Sequence, residues 1–124
     1  MARLVAVYDA AGGILGELRY VAGRLAGTAH CSLCDITHRR IRPKGEWVGL
    51  VARLATPLVV VHRNERADAV RAASAGQLPC VLAESGGRLV LLLGPGDLEA
   101  CAGDVDDFAA RLVAAARRGH LALG

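Results

Sequence analysis

Short apolar runs alternate with helical patterns along this chain, and that alternation restricts the folds open to it. Residues 3–8 (Arg-Leu-Val-Ala-Val-Tyr) read as a buried strand, ended by Asp9, Ala10, Ala11, Gly12 and Gly13. Residues 58–61 (Leu-Val-Val-Val) give the clearest strand, a continuous apolar run typical of a strand covered on both faces. Residues 80–84 and 88–92 flank Ser85, Gly86 and Gly87 and read as a hairpin. Between these runs Ile14, Leu15, Leu18, Val21, Ala22 and Leu25 recur at helical spacing, with Gly27 as the stop. A second helix is expected over 46–54, carrying Trp47, Leu50, Val51 and Leu54, after Pro43-Lys44-Gly45 and before the Thr56-Pro57 break. A short Ala-rich helix over 66–74 closes at Gly76. Asp104 opens a last amphipathic helix, with acidic residues in its first turn, Arg117 and Arg118 in its last, and Phe108, Leu112, Val113 and Ala116 on its buried stripe. Strand–helix alternation of this kind predicts an α/β domain with helices on a central sheet and an antiparallel hairpin near the C-terminus. At 124 residues, without repeats or a dividing linker, residues 1–124 are expected to form a single domain.

Composition narrows the class. The chain is 53% hydrophobic and 3% aromatic, so its core must come mainly from Val, Leu, Ile and Ala. No apolar run approaches the roughly 18 residues that span a bilayer; the longest, Leu89 to Leu93, stops at Gly94-Pro95. Met1-Ala2-Arg3-Leu4 is too short before Asp9 for a secretory signal. These features lead us to expect a soluble, cytoplasmic protein with no membrane partner. The net charge of +3 is too mild to mark a nucleic-acid binder, and Tyr8, Tyr20, Trp47 and Phe108 are too few to stack bases. Gly12-Gly13 and Gly94-Pro95-Gly96 match neither a P-loop nor a dinucleotide fingerprint.

The chemistry concentrates in His30-Cys31-Ser32-Leu33-Cys34-Asp35-Ile36-Thr37-His38. Two thiols and two imidazoles fall within nine residues. If a helix begins at Cys31, then Cys34 and His38 follow at i+3 and i+7, on one face, with His30 just outside. Thiol–disulfide exchange fits this pattern. A helix N-terminus stabilises a thiolate, which makes Cys31 the nucleophile and Cys34 the resolving thiol. Exchange requires no cofactor, and its partner is a protein or small-molecule disulfide or thiol. Metal binding also fits. Cys31, Cys34 and His38 supply three ligands, and His30, Cys80 or solvent a fourth, for zinc or copper. A third possibility is an interaction module whose thiols are buried and inert.

Neighbouring residues carry paired readings. Arg39, Arg40, Arg42 and Lys44 are either a solvated loop or an anion-friendly rim that favours a thiolate. Asp35 either orients a histidine or caps backbone. His62 either lies on the surface or reaches a site at the carboxyl ends of the parallel strands. His120, near the C-terminus, is set aside. Cys80 and Cys101, in apolar or small-residue surroundings, read as small buried hydrophobes.

The order of these parts resembles a thioredoxin-like fold. A Cys-x-x-Cys precedes a helix and then a strand, a further helix follows, Leu78-Pro79-Cys80-Val81 opens a strand at a proline, and a hairpin and helix close the chain. The resemblance implies a cis proline beside the dithiol, at Pro79, which would help present the partner backbone. Ser32-Leu33 stands between the thiols where thioredoxin itself has Gly-Pro. The His-Cys-x-Leu-Cys-Asp-Ile-Thr-His run is also similar to that of a group of small uncharacterised bacterial proteins, a likeness that implies no activity.

Overall fold

A computed structural model describes residues 3–9, 32–39, 42–54 and 56–118. The helix expected over 14–25 lies outside the described residues.

Strand β1 (Arg3–Val7) is the centre of the sheet. It is flanked by β4 (Leu58–Val61) on one side and β5 (Cys80–Ser85) on the other, and β6 (Arg88–Leu93) lies outside β5. β1 and β4 run parallel, whereas β5 is antiparallel to both β1 and β6. The β5–β6 connection is Gly86-Gly87, with φ of +59° and +79°. A two-residue turn with both φ values positive matches the strand twist, and glycine adopts it without steric cost.

Side-chain alternation along β1 separates two cores. Leu4, Ala6 and Tyr8 face one side with Val81 and Ala83, and Val5 and Val7 face the other with Cys80 and Leu82. All are buried, so β1 and the first four residues of β5 are covered on both faces. Double coverage was expected instead of residues 58–61. Those residues do form a strand, but β4 is at the edge of the sheet, its residues are only partly buried, and Val59 is 37% exposed. An apolar run records that a strand has apolar neighbours, not how many strands flank it.

The larger core is roofed by four helices: α1 (Ser32–Thr37), α2 (Gly45–Arg53), α4 (Pro95–Ala100) and α5 (Val105–Arg118). Phe108, wholly buried, packs on Trp47 with ring centroids 5.4 Å apart. α1 contributes Leu33 and Ile36 and contacts α4 and α5. On the opposite face α3 (Asp68–Ser74) packs Val70 over Val5, Val7, Cys80 and Leu82.

The predicted cap of α5 is present: Asp104 Oδ1 accepts from the backbone N–H of Asp106 at 2.9 Å and of Asp107 at 3.3 Å. Helix α4 was not foreseen. Pro95 occupies its first turn, where a missing N–H costs nothing, and Asp97 Oδ2 accepts the Gly94 N–H at 3.0 Å. Among the described residues, no helix is long and apolar enough to cross a membrane.

Candidate functional site

The carboxyl end of β1 gathers residues from three other parts of the chain. Val7 is level with Val61 in β4 and with Cys80 in β5. The residues that follow or precede these, Tyr8, His62 and Pro79, therefore stand side by side at one end of the sheet. The backbone N–H of Tyr8 donates to the Val61 carbonyl at 3.0 Å, extending the ladder by one step. The Leu78–Pro79 peptide bond is cis and Pro79 is buried, at the position where the thioredoxin-like resemblance led us to expect a cis proline.

Helix α1 comes to this end from above. The Tyr8 and Thr37 hydroxyls share a hydrogen bond of 2.7 Å, and both residues are buried. Cys34 lies within α1, one turn before Thr37. The helix stops at Thr37 because its carbonyl accepts the Lys44 N–H at 2.8 Å, and the chain then continues as β2 (His38–Arg39) against β3 (Arg42–Pro43). His38 pairs with Pro43 in that short ladder. The expectation that Cys31, Cys34 and His38 share one helical face is thus corrected. His38 is past the helix end, so the i+7 spacing does not apply to it. Two β-branched residues, Ile36 and Thr37, close the helix and favour extended backbone beyond it.

His30 and Cys31 lie outside the described residues, as do Arg40 and His120, and for Cys34, Asp35, His38, Arg39 and Arg42 the description reaches the backbone only. Among the described residues, no three His, Cys, Asp or Glu side chains gather to hold a metal ion. The basic cluster has one described side chain, Lys44, whose Nζ donates to the Gly103 carbonyl at 2.5 Å and joins the start of α2 to the α4–α5 turn.

Cys80 does not reach this side of the sheet. It faces α3 with Val5, Val7 and Val70, while Leu33 and Ile36 of α1 lie on the other face. Strand alternation thus turns Cys80 away from the face on which α1 packs. Burial pushes its thiol up to about 11, partly offset by the Arg66 guanidinium. Cys101 is buried in the larger core, where its Sγ donates to the Asp97 carbonyl at 3.4 Å. Its thiol is raised too, by burial first and then by Asp107. Both behave as the small hydrophobes their surroundings suggested.

His62 is fixed from two directions. Its ring meets the Tyr8 ring edge-on, centroids 5.2 Å apart at 67°. Glu65, in the 3₁₀ turn Arg63–Glu65, accepts from the His62 backbone N–H at 2.9 Å and contacts Nδ1 at 2.7 Å. Those two bonds hold the Glu65 carboxyl below its ordinary value, the backbone bond most. Arg63 Nη1 reaches Asp9 at 3.2 Å, a second tie between the ends of β1 and β4. Sequence reasoning missed Tyr8, Thr37 and Glu65. The His62-x-x-Glu65 spacing was the available signal, since residues three apart meet across a turn.

Comparison with family models, with curated proteins and with solved structures finds no match to this chain.

Proposed function

We propose that this chain is a thioredoxin-like thiol–disulfide redox protein, with Cys31 as nucleophile and Cys34 as resolving thiol. One observation carries the reading. The helix containing Cys34 is bonded through Thr37 to the carboxyl end of β1, with Pro79 opening the adjacent β5. The sheet order β4-β1-β5-β6, parallel across β1–β4 and antiparallel from β1 through β6, supports the same reading.

The chemistry proceeds in two exchanges. The Cys31 thiolate attacks one sulfur of a substrate disulfide. The Cys31–substrate S–S bond forms, the substrate S–S bond breaks, and the first substrate thiolate departs and takes a proton. Cys34, deprotonated, then attacks the Cys31 sulfur. The mixed disulfide breaks, the second substrate thiolate leaves, and an intramolecular Cys31–Cys34 disulfide remains. Two electrons have passed from the dithiol to the substrate. A cellular thiol or dithiol reductant reverses the sequence and restores the pair. We place this cycle in the cytoplasm, where buried thiols such as Cys80 and Cys101 stay reduced.

The test is a trapping experiment with oxidised glutathione. Cys34→Ser should accumulate a mixed disulfide on Cys31, and Cys31→Ser should accumulate far less, as read by intact mass and peptide mapping. Equal trapping in both variants, or none in either, would contradict the assignment. Metal carried through purification and lost in Cys31→Ser and His38→Ala would favour a zinc or copper site built on Cys31, Cys34, His38 and His30 instead.

A further inference from the structure

We infer that His62 is a positioning residue of the dithiol site, acting through Tyr8 on the helix that carries Cys34. The inference rests on the thiol-exchange reading and adds a residue to it. A continuous run of contacts supports it. Glu65 holds His62 by its backbone N–H and by Nδ1, at 2.9 and 2.7 Å. The His62 ring abuts the Tyr8 ring, and the Tyr8 hydroxyl bonds Thr37 Oγ1 at 2.7 Å. Thr37 is the last residue of α1, one turn after Cys34.

The chain of contacts crosses from a partly exposed surface turn to a buried helix end. His62 keeps 27% of its side-chain exposure, Tyr8 keeps 5% and Thr37 none. A 3₁₀ cap alone would need only the Glu65 bond to the His62 N–H. The Nδ1 contact and the ring on Tyr8 are additional, and both fix the imidazole plane. An aromatic pair in this edge-on geometry contributes beyond the area it buries. It restricts the Tyr8 phenol, which in turn holds the end of α1.

Disulfide exchange is sensitive to such restraint. The attacking, central and leaving sulfurs must align, and the dithiol must move from two separated thiols to a bond of about 2.05 Å. A helix tied at Thr37 fixes one side of that closure. Loosening the tie should therefore change the equilibrium between dithiol and disulfide, as well as the rate.

Equilibration of the Cys31–Cys34 pair with dithiothreitol tests this, with circular dichroism reporting the fold. His62→Ala should shift the equilibrium constant by about fivefold, a coupling of about 1 kcal/mol. His62→Phe, which restores a ring against Tyr8, should return most of it. Tyr8→Phe, which removes the hydroxyl, should shift it in the same direction, and adding His62→Ala to Tyr8→Phe should add little. A folded His62→Ala protein with the wild-type equilibrium constant would overturn the inference, as would full additivity with Tyr8→Phe. Wild-type protein that forms no Cys31–Cys34 disulfide would overturn the exchange reading and this inference together, whereas normal wild-type exchange untouched by His62→Ala would overturn this inference alone.

Discussion

The hydroxyls of Tyr8 and Thr37 lie 2.7 Å apart across 29 positions of sequence, joining the end of the central strand to the end of the helix that contains Cys34. Both residues are buried, so the bond is made where water competes poorly. It helps tie the cysteine-bearing helix to the end of the sheet where Pro79 and His62 stand.

Thr37→Val keeps the shape of the side chain and removes its hydroxyl. Loss of the bond with Tyr8 should lower stability by about 1 kcal/mol. Urea unfolding of Thr37→Val, Tyr8→Phe and the double variant measures it. The double variant should lose less than the sum, since each single change already breaks the shared bond.

Cys80 predicts a pH dependence. Its folded-state thiol sits at about 11, above the ordinary 9.0. Between those values the folded chain holds a proton that the unfolded chain releases. Stability from this group is therefore complete below pH 9 and declines as pH rises towards 11, by about 2 kcal/mol at most. Cys80→Ala should lack this component of alkaline destabilisation, measured as the difference in urea midpoints between pH 8 and pH 10.5. An identical alkaline decline in both proteins would contradict the assignment.

Ala102 adopts φ of +51° in the turn between α4 and α5, beside Gly103 at +80°. A Cβ in left-handed backbone costs about 1 kcal/mol, and glycine relieves it at some expense in unfolded-state entropy. Ala102→Gly should raise the melting temperature slightly or leave it level, and Gly103→Ala should lower it. A marked fall for Ala102→Gly would contradict the strained turn.

Asp104 caps α5 through two backbone N–H groups, and Asp107 pairs with Arg111 at 3.1 Å one turn on. Asp104→Ala should cost about 1 kcal/mol. Asp107→Ala, which breaks an exposed i,i+4 pair, should cost about 0.3–0.5 kcal/mol. Urea midpoints of the two variants rank the effects, and the reverse order would contradict the cap.

Much of the scaffold was legible in local patterns. Gly86-Gly87 between two apolar runs specifies a tight antiparallel pair, and Asp104 ahead of an amphipathic stripe specifies a capped helix. What was not legible depends on distant partners. The Leu58–Val61 run could not reveal that β1, not β4, is central, because edge position is set by which strands pair. Gly94-Pro95 reads only as the end of the Leu89–Leu93 run, yet Pro95 also begins α4, with Asp97 accepting the Gly94 N–H. Near the candidate site the sequence marked Pro79 as the head of a strand, which it is, but extended the helix that carries Cys34 as far as His38. The Thr37 carbonyl bonds Lys44 seven residues on, and that turn, invisible to helical spacing, ends the helix first. Tyr8 and Glu65 were overlooked because their role lies in contacts with Thr37 and His62.

The proposed exchange requires Cys31 and Cys34 to form a reversible disulfide pair. The most direct measurement is a free-thiol titration of the folded protein, before and after mild reduction, with metal content determined on the same sample. Of the 4 cysteines, Cys80 and Cys101 are buried and should stay silent until the protein unfolds. The oxidised protein should show no reactive thiol, reduction should reveal Cys31 and Cys34 alone, and metal should be far below one equivalent. One equivalent of zinc or copper, with both thiols masked until a chelator removes it and no disulfide in the mass spectrum, would contradict the proposed exchange.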